Sequence, residues 1–347
     1  MTSRFAEPAA PLPGPTRSAT ARQLAPALPD ELRAEVLAGL QAPQKTLPPK
    51  LFYDERGAEL FHEITALDEY YLTRTELGIM RAHAGEMADL LGAGCALVEL
   101  GSGEALKVRR LLDRLRQPAA YVPVDISTEQ LQRVAADIAR AYPGVAVAPV
   151  AADYTGAFSL PELPPPARAA RRVVYFPGST IGNFHVPEAV AFLRRVAQLC
   201  GPGGALLLGA DLRKDPDVLH AAYNDAAGVT AAFNVNLLVR LNRELGTSFD
   251  PARFRHYAYY NPVAGRVEMH LVSLTRQTVD VDGECVRFER GESIWTESSY
   301  KYAPRQLDAM AHDAGFEVVR VWTDPREWFC VLYLVVRERG TDAQSRG

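Results

Sequence analysis

Three strand-like ends in this chain carry residue types suited to holding a small molecule. The run Ala96-Leu97-Val98-Glu99-Leu100 closes in Gly101-Ser102-Gly103, and a helical pattern starts near Leu106. A second apolar run, residues 121–125, ends at Asp125. A third, residues 145–151, is followed by Asp153-Tyr154. In an open parallel sheet such ends share one edge, and ligands bind in the crevice outside it. Gly101 and Gly103 leave room for close backbone approach, because no Cβ stands in the way.

The carboxylate of Asp125 can accept hydrogen bonds from both hydroxyls of a ribose. Asp153 can take the exocyclic amine of an adenine, with the Tyr154 ring against the base. A nicotinamide dinucleotide fits less well. Its fingerprint asks for a third glycine where Leu106 stands, and Glu104 would repel a pyrophosphate at the helix start. The set therefore points to S-adenosylmethionine and to a methyltransferase. Lys107, one turn into the helix, can meet the methionine carboxylate of that donor; taken alone, a lysine on a surface helix is a solvated charge.

The elements that must position these groups alternate. Strands are expected at residues 96–100, 121–125, 145–151, 172–176 and 205–210, with helices at 106–115, 128–142 and 187–199 between them. Continuous apolar strands separated by helices predict an α/β fold: a Rossmann-like, mostly parallel sheet with helices on both faces. Upstream, residues 1–29 are rich in Pro and Ala and read as a disordered tail. A short helix is expected at 31–40, then an aromatic-rich stretch from Leu51 to Tyr71, then a helix at 76–91 stopped by Gly92. After Asp211 the alternation breaks. Residues 216–245 read as one long helix, and 256–260, 266–275 and 277–286 as antiparallel strands turning at Asp282-Gly283. Strands at 316–322 and 329–336 resume the sheet. Residues 72–213 and 300–338 are thus expected to form the donor-binding domain, with 30–71 and 214–299 in a second α+β lobe.

Of the 347 residues, 48% are hydrophobic and 23% charged, the proportions of a packed globular protein. The net charge of −4, spread without basic blocks, argues against nucleic acid or an anionic membrane as partner. No apolar run reaches the ~20 residues that span a bilayer. Seven histidines include no His-x-x-x-His pair, so no metal is expected. Cys95, Cys200, Cys285 and Cys330 are far apart and read as reduced thiols of a cytoplasmic protein.

Longer strings narrow the reading. Phe52-Tyr53-Asp54-Glu55-Arg56-Gly57, Glu69-Tyr70-Tyr71-Leu72-Thr73-Arg74 and Gly178-Ser179-Thr180-Ile181-Gly182-Asn183 strongly resemble the L-histidine Nα-methyltransferase family of ergothioneine biosynthesis. So do residues 222–234 and Thr296-Glu297-Ser298-Ser299 with Lys301, in the same order; the likeness spans roughly residues 30–338. It implies trimethylation of the histidine α-amine to hercynine, with S-adenosylmethionine as methyl donor. It also implies roles. Tyr53, Gly101, Lys107, Asp125, Asp153 and Tyr154 match donor-binding positions. Tyr70, Gly178, Asn183, Tyr223, Met269, Glu297 and Ser299 match histidine-binding positions, placing the histidine in the second lobe. No side chain matches a dedicated base; Tyr53, Tyr70 and Asn183 would position the amine. A monomer acting on a small molecule is expected.

Considered singly, Asn183 reads as a turn or cap residue, Tyr223 as core and Glu297 as a solvated charge. Their joint occurrence inside family-like strings reverses this. The chain departs from the family in the loop Glu104-Ala105-Leu106, where hydroxyl side chains are usual, and at Tyr154, where phenylalanine is common. Alternatives are methylation of another aromatic amino acid, or a non-catalytic regulator that binds S-adenosylmethionine.

Overall fold

Apolar strands must be covered on both faces, and a computed structural model shows how this chain does it. The structure describes residues 29–103, 105–156, 158–163 and 171–337. Glu104 and nearly all of the expected tail lie outside the described residues.

The main sheet is built on β2 (Ala96–Leu100), which pairs in parallel with β3 (Ala120–Asp125) on one side and β6 (Arg172–Phe176) on the other. Beyond β3 lie the two-residue strands β4 (Ala146–Val147) and β5 (Val150–Ala151). Beyond β6 lie β7 (Ala205–Asp211), then β14 (Phe329–Val336) and β13 (Phe316–Thr323), with β14 antiparallel to both neighbours. Helices α3 (Tyr71–Leu91) and α4 (Leu106–Leu112) cover one face. Ile79, Met80, Met87 and Val108 pack there against Leu97, Tyr121, Val173 and Leu207. On the other face α6 (Val186–Cys200) and α9 (Pro304–Asp313) pack Phe192, Leu193 and Met310 against Val98, Val122, Val174 and Leu208. The two-residue period of a strand sorts Leu97 from Val98 in this way. A further helix, α5 (Thr128–Ala141), follows β3.

A second sheet, in the order β1-β12-β9-β8, is formed by β8 (Phe254–Asn261), β9 (Arg266–Ser273), β12 (Ser293–Tyr300) and the short β1 (Lys45–Thr46). Its core takes in α1 (Asp30–Gln41), α2 (Glu55–Thr65), α7 (Pro216–Tyr223) and α8 (Val229–Glu244), through Val36, Leu60, Leu219 and Leu237. The hairpin of β10 (Gln277–Val281) and β11 (Glu284–Phe288) turns at Asp282-Gly283, both with positive φ (57° and 85°), as a two-residue hairpin of this twist requires.

Three expectations need correction. The long helix is two helices, because Asp225 caps the second: its carboxylate accepts from the N–H groups of Val229 and Thr230, both at 2.8 Å. Gly228 supplies the turn with φ 74°. The strand at 145–151 is split around Pro149, which has no N–H for a ladder. Helix α3 starts at Tyr71, five residues early, so Tyr70 stands at its first turn. Gly92 ends it as expected, at φ 85°.

Replacing Asp225 by Ala should cost about 1–2 kcal/mol, the usual worth of such a cap. It would be read as a lower urea midpoint at unchanged slope.

Candidate active site

The strand order reverses beside β2, so the crevice expected of such a sheet opens between β2 and β6. It widens into a cavity of about 910 Å³ that runs from the ends of β2, β3 and β6 to the face of β12. All thirteen residues singled out from the sequence line it: Tyr53, Tyr70, Gly101, Lys107, Asp125, Asp153, Tyr154, Gly178, Asn183, Tyr223, Met269, Glu297 and Ser299. A smaller hollow of about 300 Å³ beside α9 and β13 contains none of them.

At the β2 end the chain turns through Gly101 (φ 74°) and Gly103 (φ 46°). A Cβ on Gly101 would meet the Tyr154 ring at 3.6 Å, an ordinary contact, so the backbone angle rather than crowding calls for glycine. Asp125 is held by Ser127 N–H at 2.9 Å and more loosely by Gly103 N–H at 3.4 Å. Burial raises its carboxyl above the usual range, although these backbone groups oppose the shift. Asp153 behaves oppositely. Burial would lift it, but bonds from Thr155 and the charge of Lys50 hold it below the usual value. Lys50 also pairs with Glu35 of α1 at 2.9 Å, which ties the N-terminal segment to this strand end. Tyr154 packs edge-on to Phe176 and Phe192, and burial raises its phenol.

Lys107 is not a free cation. Its ammonium lies 2.5 Å from Glu76, whose side chain is 1% exposed. The same carboxylate accepts the Gly178 N–H at 3.0 and 3.1 Å. Glu76 thus joins the helix after β2 to the turn after β6, and Gly209 must lack a side chain to admit it, since a Cβ there would lie 2.3 Å from its oxygen. Glu76 was missed from the sequence. The available signal was an acid on the buried stripe of α3, with Leu72, Ile79 and Met80.

The opposite end of the cavity is built on β12. Glu297 pairs with Met269 of β9, and the register slips between Trp295 and Glu297, leaving Thr296 as a bulge. Thr296 secures the bulge by donating to the Met269 carbonyl at 3.0 Å. Burial pushes the Glu297 carboxyl up to about 7, against the pull of Lys301 and of a hydrogen bond from Asn183. Asn183 ends a 3₁₀ turn, Thr180–Asn183. Facing it is an aromatic wall. Tyr53 meets Phe61 at 5.7 Å and Phe233 at 6.1 Å, Phe61 meets Tyr70 at 6.2 Å, and Tyr70 meets Tyr223 at 6.4 Å. Tyr53 is 43% exposed, toward the cavity. Enclosure by neighbours and then the charge of Glu297 raise its phenol well above the usual range. Phe61 and Phe233 were also missed; Phe233 reads in sequence as the apolar stripe of a helix and Phe61 as one more ring of the aromatic-rich stretch.

Behind this end lies a charged network that sequence reasoning did not foresee. The Tyr223 and Ser299 hydroxyls are 2.7 Å apart, and the Lys301 ammonium lies 2.9 Å from each. Lys301 pairs with Asp211 at 2.8 Å, both side chains being 0% exposed. Asp211 also accepts from Tyr71 at 2.6 Å and from Lys214 at 2.6 Å. Burial lowers Lys214 to about 8, although Asp211 opposes the shift.

A sheet of this order, with a glycine turn after the central strand and acids after the next two, is that of an S-adenosylmethionine-dependent methyltransferase. The chain belongs to the family described as "Histidine-specific methyltransferase, SAM-dependent", which it matches over residues 32–336. It is 44% identical over 302 residues to Histidine N-alpha-methyltransferase of Mycolicibacterium smegmatis (strain ATCC 700084 / mc(2)155), covering 85% of this chain and 92% of that protein. Against the protein of the same name from Mycobacterium tuberculosis (strain CDC 1551 / Oshkosh), the identity is 44% over 298 residues, or 84% and 91% of the two chains. Ergothioneine biosynthesis protein 1 of Neurospora crassa is 32% identical over 312 residues, which is 85% of this chain but 33% of that longer one.

The residues present fit the donor. The Ser102 hydroxyl, in the glycine turn, is buried without a partner among the described residues. Leu106 and Ile126, 47% and 45% exposed, turn apolar surface to the cavity beside Asp125, as a flat base requires.

Lys107→Met should lower the free energy of unfolding by about 3 kcal/mol, because it strands the Glu76 carboxylate in the interior. Adding Glu76→Gln should recover most of that loss in chemical denaturation.

Proposed function

We propose that the chain trimethylates the α-amine of L-histidine to hercynine, consuming one S-adenosylmethionine per methyl, and so begins ergothioneine biosynthesis. The named relatives support this reading. The observation that carries it is the placing of Glu297 and Ser299 on one face of β12, across a single cavity from the strand ends of the main sheet. In this reading Asp125 takes the ribose of the donor, Asp153 and Tyr154 the adenine, and the Gly101 turn with Lys107 its methionine end. Tyr53 lies beside the transferred group. Glu297 and Ser299 grip the two imidazole nitrogens and Met269 forms a wall of that pocket. Asn183 and Tyr70 hold the carboxylate and amine, Tyr223 backs Ser299 in the same pocket, and the Gly178 carbonyl faces the amine. The proposed division of labour is that residues 72–213 and 300–338 hold the donor and 30–71 and 214–299 the histidine, with Asn183 and Gly178 reaching the histidine amine from the donor side. A cytoplasmic monomer with no nucleic-acid or membrane partner completes the proposal. Among the described residues no helix is long and apolar enough to cross a membrane, and all four cysteines are free thiols.

When bound, the donor supplies an electrophilic methyl on a sulfonium. The protein supplies position: gripping both ends of the amino acid fixes the nitrogen lone pair along one line, which converts binding into rate. The aromatic wall excludes water and offers ring faces at Tyr53 and Tyr70 to the growing ammonium. The amine proton leaves to solvent through the open mouth of the cavity, with no side chain assigned as base.

Mass spectrometry of a reaction with histidine should show mono-, di- and trimethylated products in succession; a product that stops at one methyl would remove the iterative part. A panel of free amino acids should show histidine preferred. The Glu297 carboxyl, raised to about 7, loses its charge as pH falls through that value, and with it the charge-assisted part of its bond to an imidazole N–H. The acid limb of log kcat/KM should therefore be steeper in the wild type than in Glu297→Gln, by about one log unit per pH unit. Parallel limbs would remove Glu297 from imidazole recognition.

A further inference from the structure

We propose that Lys301 is a positioning residue that makes the Tyr223–Ser299 hydroxyl pair a fixed hydrogen-bond donor, so that the pocket selects a ring nitrogen with a free lone pair. The proposal rests on the reading of Glu297 and Ser299 as the imidazole site.

An ammonium has three N–H donors and no acceptor. Those of Lys301 meet three oxygens: Asp211 at 2.8 Å, Tyr223 at 2.9 Å and Ser299 at 2.9 Å. Neither hydroxyl can turn its own hydrogen back toward the lysine. The two hydroxyls are 2.7 Å apart and share one hydrogen between them. The phenol, the stronger acid, donates it, and Ser299 then holds two incoming hydrogens on its two lone pairs. One hydrogen remains, on Ser299, and both side chains line the cavity. A serine without Lys301 could present either a hydrogen or a lone pair. With Lys301 behind it, only a hydrogen is available.

Glu297, two residues earlier on the same strand, offers the complementary acceptor as a carboxylate. A neutral imidazole has one N–H and one bare nitrogen and satisfies both. A ring with neither leaves both protein groups unpaired, and a doubly protonated ring sets N–H against O–H. Polar sites of this kind discriminate far more strongly than apolar pockets do. The positive charge that this requires faces Asp211 on the side away from the cavity, a carboxylate that also accepts from Tyr71 and Lys214.

The test is a double-mutant cycle on Lys301→Met and Ser299→Ala, with steady-state kinetics for histidine and calorimetry for S-adenosylmethionine. L-Phenylalanine, which has no ring nitrogen, serves as competitive inhibitor. Lys301→Met should raise the KM for histidine about 30-fold, the worth of one buried hydrogen bond, with a smaller change in kcat. The Kd of S-adenosylmethionine and the Ki of phenylalanine should stay within roughly twofold, since neither uses this hydrogen. Ser299→Ala should give a similar loss, and the double variant should add no more than about threefold to either. Lys301→Gln, which still fills the space beside Asp211, replaces Met if that variant does not fold. Additive losses, or a phenylalanine Ki that rises in parallel with the histidine KM, would overturn the role of Lys301 and leave the imidazole site standing. A histidine KM unmoved by Ser299→Ala would overturn both.

Discussion

Asp211 and Lys301 form an ion pair with no exposed surface, and most of the cavity's architecture can be traced to what that pair requires. Two charges taken out of water are stable only when every hydrogen and lone pair around them is used. Here the partners come from separate parts of the chain. Asp211 ends β7, Tyr71 opens α3, Lys214 follows the sheet, and Tyr223 and Ser299 belong to the second sheet and its helices. The backbone is fastened at the same place, where Tyr302 N–H bonds the Asp211 carbonyl at 2.9 Å and Arg213 N–H the Tyr302 carbonyl at 3.0 Å. The chain therefore leaves the main sheet and returns to it side by side. The floor of the cavity is stitched where the two sheets meet.

Glu76 plays a comparable part at the other end. One buried carboxylate binds the ammonium of Lys107 and the backbone of Gly178, so the helix after β2 and the turn after β6 cannot move independently. Those two segments are the lips of the crevice at the switch point of the sheet. A methyl transfer that relies on alignment rather than on a strong base depends on such rigidity, because small displacements of the reacting atoms cost rate steeply.

The aromatic wall adds a different constraint. Tyr53, Phe61, Tyr70, Tyr223 and Phe233 meet edge to face or tilted, the geometry that ring quadrupoles favour. Their neighbourhood raises the phenols of Tyr53, Tyr70 and Tyr223 by burial, so these hydroxyls remain neutral donors while their faces stay available to a cation.

The alternating strands and helices of the main sheet were legible in the sequence because each is a local pattern: an apolar run, a glycine, an acid at a strand end. Strands β2 and β6 fall where expected, and the glycine turn after β2, Asp125 and Asp153 stand at one edge because parallel strands leave no other arrangement. Long family-like strings likewise marked the residues that line the cavity. The break at Asp225 was not legible, since a cap looks like any surface acid until its helix is cut. Nor was the bulge at Thr296, which a strand pattern does not register. Glu76, Asp211, Lys214 and Lys301 owe their meaning to partners on other elements: Lys107 and Gly178 for the first, Tyr71 for the next two, and Asp211 and Tyr223 for the last. Taken in sequence, the spacing of Glu297 and Ser299 said only that two polar side chains share a face. What only the tertiary structure decided is the company that Lys301, two residues from Ser299, keeps: Asp211 at 2.8 Å and Tyr223 at 2.9 Å come from distant segments, and a hydroxyl's direction is set by its neighbours in space.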